Sequence, residues 1–262
     1  MVRILSMLWI VALSIPVAWA SETEGSSSEE WSFSVTPYFW AAGLKGTVAT
    51  MPPLPAIELD AKIGDVMGNT DYAFASMLEL RKGKFGIMSD FFLLNIAVGT
   101  TKGPIPGVSA TLHTDITTFV VQMAGTYRVF EKEQGWLDLI AGVRGWYIDQ
   151  KLKVAGTAFL PTFTVNHIEG WVDGFGGIRT RINLRALEFP VGKGLHLAST
   201  VLVGGGQSSS FVDATGGIGY EFTGHIKAFA GYRYLKVEYK NKNGYVWDTE
   251  YYGPMISGTY KF

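Results

Sequence analysis

From Trp31 to Phe262 the chain alternates apolar and polar residues with a period of two, and the period survives every interruption. In WSFSVTPYFWA, Trp31, Phe33, Val35, Pro37 and Phe39 fall on one face, and Ser32, Ser34, Thr36, Tyr38 and Trp40 on the other. YAFASMLELR sets Tyr72, Phe74, Leu78 and Leu80 against Ala73, Ala75, Met77, Glu79 and Arg81. WLDLIAGVRGWYID sets Leu137, Leu139, Val143 and Tyr147 against Asp138, Gly142, Arg144 and Trp146. A period of two is the signature of a strand with unlike surroundings on its two sides. Ten such segments are expected, near 31–42, 71–82, 84–98, 110–130, 135–150, 165–182, 194–204, 210–222, 226–240 and 247–262. Only AKIGDVMGN, inside the first long connection, suggests a helix.

Two kinds of solvent could explain that alternation. In a soluble sandwich the polar face meets water and is dense in charge. Here charged residues are only 17% of the chain, and the polar face mixes Gly, Ala and large aromatics. The apolar face carries aromatics towards strand ends, including Trp31, Tyr72, Phe85, Tyr127, Tyr220, Phe222, Tyr232, Tyr234 and Tyr260. Such a belt is where a lipid-facing band meets its interfaces. Backbone groups in hydrocarbon must all be paired, so the sheet must close. The fold class expected is all-β: a closed antiparallel transmembrane β-barrel of 10 strands, with 12 or 8 as alternatives. Twelve would follow if 44–50 and 57–62 formed a separate hairpin in the membrane.

The connections agree. Tight turns at 82–84, 131–135, 190–194 and 223–225 alternate with longer ones, and the Pro-, Gly-, Ser- and Thr-rich stretches 43–70, 99–109 and 151–164 are the longest. Outer-membrane barrels alternate short periplasmic turns with long outer loops in this way. The N-terminus supplies the route. Arg3, an apolar core and Ala18–Trp19–Ala20 read as a signal peptide over residues 1–20. Residues 21–30, SETEGSSSEE, read as a disordered lead-in, and 31–262 as the barrel domain. The chain has no Cys, which excludes disulfides, a lipidated N-terminal cysteine and thiolate metal sites. A net charge of −1 offers nothing to nucleic acid.

The last strand ends on a bare aromatic. Tyr252, Ile256, Tyr260 and Phe262 share its outer face, with Met255, Ser257, Thr259 and Lys261 inside. The pieces TPYFWAAGLKGT (36–47), LELRKGKFGIMSDF (78–91), GWVDGFGGIR (170–179), AGYRYLKVEY (230–239) and YGPMISGTYKF (252–262) resemble a family of poorly characterised proteobacterial outer-membrane barrel proteins, small and OmpA-like or porin-like. They span the chain from residue 36 to its end; FVDATGGIGYEF (211–222) departs from the pattern. The resemblance implies a cell outer membrane location, outer-membrane lipid as surroundings, and a C-terminal strand read by the barrel-assembly machinery. It implies no substrate. An extracellular ligand would meet the loops at 43–70, 99–109 and 151–164.

Parity places thirteen charged residues inside: Glu79, Asp90, Asp138, Glu169, Asp173, Asp213 and Glu221 against Arg81, Arg128, Arg144, Arg179, Arg181 and Arg233. An unpaired charge in a dry lumen is costly, so a paired network is expected, with Arg144, Arg179, Asp138 and Asp173 as one unit. The expected role is a structural barrel with a largely filled lumen, or a weak pore. A narrow pore of low selectivity is the alternative, because the charges nearly balance. An outer-membrane enzyme, protease or lipid-modifying, is a second alternative, with His113 and Asp115, or His167 and Glu169, as the base half of a rim site. Neither pair carries a motif, so the chain is expected not to be an enzyme, and no metal or other cofactor is expected.

Overall fold

The structure is a computed structural model that describes residues 30–49, 56–100, 112–154, 163–184 and 194–262. The expected signal peptide, nearly all of the lead-in, and the turn at 190–193 lie outside the described residues. Twelve strands form one antiparallel sheet: β1 (Trp31–Trp40), β2 (Gly43–Ala49), β3 (Ile57–Ala61), β4 (Thr70–Lys82), β5 (Phe85–Thr100), β6 (Leu112–Lys132), β7 (Gly135–Val154), β8 (Phe163–Asn183), β9 (Leu195–Gly206), β10 (Ser210–Glu221), β11 (Ile226–Lys240) and β12 (Val246–Lys261). A short helix, α1 (Ile63–Gly68), joins β3 to β4.

The sheet closes where β1 pairs with β12, in a register that includes Val35 with Tyr260 and Phe39 with Ile256. β2 continues β1 along the same edge of β12, from Tyr252 opposite Gly43 to Val246 opposite Ala49. β1 and β2 are therefore two halves of one wall strand, and β3 pairs only with β2. The wall is a closed antiparallel transmembrane barrel of ten strands. This corrects the reading of 43–70 as a loop: most of it is structured, and β2 and β3 form a hairpin without adding two members to the wall. The other two expected loops are also shorter, because β5 runs to Thr100, β7 to Val154, and β8 begins at Phe163.

Local chemistry explains the closure. Outward positions hold the exposed apolar side chains, among them Phe39, Phe74, Ile87, Val143, Ile178, Ile218 and Ile256. Trp31, Phe85, Tyr127, Phe222 and Phe262 ring the end where β1 begins and β12 ends, called here the near end, and Tyr72, Tyr147 and Tyr232 lie towards the far end. Such side chains suit hydrocarbon with an interface at each end. At the near end two-residue turns join β4 to β5 and β6 to β7; Gly83 takes φ 55° in the first, where a side chain would be strained. Among the described residues no helix is long and apolar enough to cross a membrane.

The core lies inside the barrel. Its far half is filled by Trp40, Phe92, Trp146, Trp171, Phe211, Tyr251 and Trp247, and above them by Ile116, Ile148 and Leu152. Val48, Ile57 and Leu59 of the β2–β3 hairpin face Ile116, Gln150 and Leu152 across a narrow cleft. The hairpin thus folds over the far mouth and caps it.

Candidate functional site

Each inward charge is set by strand parity, and the register decides which charges meet. At the near end, Glu221 accepts from Arg181 at 2.8 Å and faces Lys227 at 3.5 Å. One layer up, Asp138 is fully buried and is reached by Arg81 at 2.6 Å, Arg128 at 2.8 Å and Arg179 at 3.0 Å. Arg179 also holds Glu79 with two bonds of 2.7 and 2.9 Å, and Arg81 touches the same carboxylate. The guanidinium groups of Arg128 and Arg179 lie over Trp136, at 4.4 and 5.2 Å. Planar guanidinium forks make this sharing possible, since one fork can serve two carboxylates.

The middle layer spans the lumen from wall to wall. Asp213 of β10 receives Arg144 of β7 at 2.6 Å and Arg233 of β11 at 2.8 Å. Arg233 reaches Asp90 of β5 at 3.3 Å and donates to the Tyr38 hydroxyl at 3.0 Å; that hydroxyl donates to Asp90 at 2.9 Å. Arg144 also donates to Gln122 at 3.0 Å and stacks over Phe211 at 4.4 Å. In the layer beyond, Tyr251 of β12 meets Thr118 of β6 at 3.1 Å, and Trp40, Phe92 and Tyr251 pack at 5.2 to 6.3 Å.

Two expected members of the arginine network stand outside it. Asp173 does not pair with Arg144. It accepts from the indoles of Trp146 and Trp171, at 3.0 and 3.2 Å, and from the backbone N–H of Ser208 at 2.8 Å. Three N–H donors satisfy a buried carboxylate without a cation. The expected four-residue unit therefore splits: Arg179 joins Asp138, whereas Arg144 joins Asp213. Glu169 meets no arginine either. It accepts from Tyr239 at 2.7 Å and Asn241 at 3.1 Å, and lies 3.0 Å from His167.

That carboxylate centres a cluster at the far rim. His167 stacks on Tyr245 at 4.7 Å, Tyr239 on Trp171 at 4.1 Å, and Trp171 on Trp146 at 5.4 Å. Of the other rim pair, Asp115 points outward and is exposed, with Lys151 opposite it on β7. The backbone places His113 opposite Gly99 and Lys153. Among the described residues no group of three or more His, Asp or Glu is arranged to hold a metal ion.

Sequence reasoning passed over Tyr38, Gln122, Lys227, Tyr239 and Asn241 as partners. Parity already put Tyr38, Gln122, Lys227 and Tyr239 inside; what it lacked was which wall each would face. At the closing seam Phe262 stacks on Phe33 at 5.5 Å and meets Tyr260 edge to face at 4.8 Å, and its N–H donates to the Phe33 carbonyl at 2.8 Å.

No protein-family model and no curated protein sequence matches the chain. Solved structures do. The outer membrane protease OmpT from Escherichia coli superposes with a TM-score of 0.54 at 10% identity, over 92% of this chain and 99% of that one. The attachment invasion locus protein Ail of Yersinia pestis matches with a TM-score of 0.36 at 10% identity, over 89% of this chain and 99% of that one. Neisserial surface protein A matches with 0.37 at 11% identity, over 89% and 100%. At these identities the first likeness shows a shared fold alone, and the other two are too loose to carry an argument. The chain is a closed β-barrel of the outer-membrane type with internal salt bridges, similar in fold to the OmpT barrel.

Proposed function

We propose that this is a non-conducting outer-membrane barrel, a structural body whose lumen is sealed. One observation carries the reading: side chains from distant strands of the wall meet across the lumen at three successive levels. Arg179 of β8 reaches Glu79 of β4, Arg233 of β11 reaches Asp90 of β5, and Tyr251 of β12 reaches Thr118 of β6. A hydrated ion passing these levels would have to break ion pairs at the first two and a buried hydrogen bond at the third, which is a far larger cost than the weak, multi-site binding a pore uses. The capping hairpin closes the mouth as well.

The narrow-pore reading is separated by one measurement. The chain, refolded and inserted in a planar bilayer in concentrated KCl, should show no stepwise current. Steady unitary conductance would overturn the sealed-lumen reading.

The rim pair His167 and Glu169 is read as a fastener rather than as half of a catalytic group. Both Glu169 oxygens are engaged by donors, and a carboxylate so held orients a wall rather than polarising a nucleophile. The chain would then not be an enzyme. Proteolysis belongs to the structural relative and is not carried over at 10% identity. Contact with the barrel-assembly machinery through Tyr252, Ile256, Tyr260 and Phe262 belongs to the same proposal. It is supported by the seat of the last strand at the closing seam.

A further inference from the structure

The wall has a notch at its far end. β9 stops at Gly206, opposite Asp173, while β8 continues beyond that rung from Val172 to Phe163. Along this stretch β8 is laddered to β7 on one side. Among the described residues no strand lies on the other. The first open rung shows which groups face the gap. The Val172 N–H donates to the side-chain oxygen of Gln207 at 2.7 Å, and the Gln207 N–H donates to the Val172 carbonyl at 3.3 Å. Gln207 thus takes the place of a partner strand's amide for one rung. By the period of two, the N–H and C=O groups of Gly170, Ile168 and Asn166 face the same way. Across the gap β11 gives its Glu238 carbonyl to Ser209 N–H, and only Tyr239 and Lys240 of that strand lie beyond.

The notch has a floor. Glu169, His167, Tyr239 and Tyr245 join β8 to β11 on the inner side by the contacts given above. Among the described residues the gap is therefore closed towards the lumen and open outward. It stands just beyond the apolar band, which on the neighbouring strand ends at Tyr147, opposite Gly170, before Asp149, Lys151 and Lys153.

We infer that this edge is a strand-addition site: it takes an extended peptide segment of another protein, which prolongs β9 antiparallel to β8. An open row of amides recognises a backbone, and the aromatic floor favours β-branched or aromatic side chains at alternate positions of the guest. A second copy of this chain is excluded by geometry. Two barrels in one bilayer stand the same way up, so their β8 strands point alike along the normal. They would also cross at about twice the usual barrel tilt of roughly 40°. No ladder forms at that angle. The inference does not depend on whether the lumen conducts.

The test uses the full refolded chain as bait for a phage-displayed library of random short peptides. Ile168→Pro removes one notch-facing N–H while leaving the β7 ladder in place, and proline is tolerated on such an edge. Ile168→Ala keeps the N–H. Enriched peptides should show alternating β-branched or aromatic residues and bind Ile168→Pro about tenfold more weakly, the loss expected for one or two backbone hydrogen bonds. They should bind Ile168→Ala nearly as well as the parent. Asn166→Pro serves if Ile168→Pro fails to fold. In parallel, the amides of Gly170, Ile168 and Asn166 should exchange rapidly in the free chain and slow when an enriched peptide is added. No enrichment, equal binding to the proline variants, or amides already protected in the free chain would each overturn the proposal.

Discussion

Asp213→Ala is the sharpest probe of the sealed lumen. The middle layer holds two carboxylates, Asp90 and Asp213, and two guanidinium groups, Arg144 and Arg233. Removing Asp213 leaves one net positive charge in a layer where Arg144 has no solvent exposure. Arg233 keeps Asp90 and Tyr38, but Arg144 keeps only Gln122. Breaking a buried pair by deleting one partner costs about 3–5 kcal/mol. A Coulomb estimate gives a similar size, about 4 kcal/mol for charges about 4 Å apart at an effective dielectric of about 20. The double change Asp213→Leu with Arg144→Met restores neutrality and fills the space with apolar groups, so most of the loss should return. Both proteins would be refolded in detergent, and unfolding followed by urea titration and by the temperature at which heat-modified gel migration is lost. The single variant should fall by several kcal/mol and the double variant should recover most of it. A single variant within about 1 kcal/mol of the parent would refute the reasoning, because water would then be screening Arg144 as it screens an exposed pair.

Three further outcomes follow from other parts of the wall. Changing Tyr260 and Phe262 together to Ser should lower the amount of assembled barrel in cells more than it lowers refolding yield in detergent; equal recovery in cells would remove the assembly role of the last strand. Glu169→Ala strands the Tyr239 hydroxyl and the Asn241 amide, and should destabilise the far rim by about 1–3 kcal/mol, read as faster proteolysis there with the near end unchanged. Gly217→Leu would put a Cβ 2.3 Å from the Ala230 carbonyl and 2.8 Å from the Phe229 ring, so it should block folding of the β10–β11 hairpin, whereas the same change at Gly258, which faces open space, should be tolerated. Refolding yield by heat-modified migration distinguishes the two.

A period of two needs only local information, and so the strands were legible. The sides of Phe39, Tyr147 and Ile178, the inward turn of Arg144 and Asp138, and the approximate ends of every wall strand but the first can be read from residue to residue, because one face of each strand meets lipid and the other does not. Polar character alone could not identify partners. Asp173 and Arg144 lie opposite each other on adjacent strands, yet Arg144 crosses the lumen to Asp213, because two indoles and a backbone N–H already satisfy Asp173. That choice depends on barrel curvature, which brings β10 within reach of β7 and leaves no mark on either strand's own sequence. The same holds for 43–61, whose Gly- and Pro-rich composition reads as a loop but which pairs as β2 and β3 because β12 offers it a free edge. The notch above β9 is the third case: its existence depends on two strands ending lower than their neighbours, a difference in height that only the closed sheet defines.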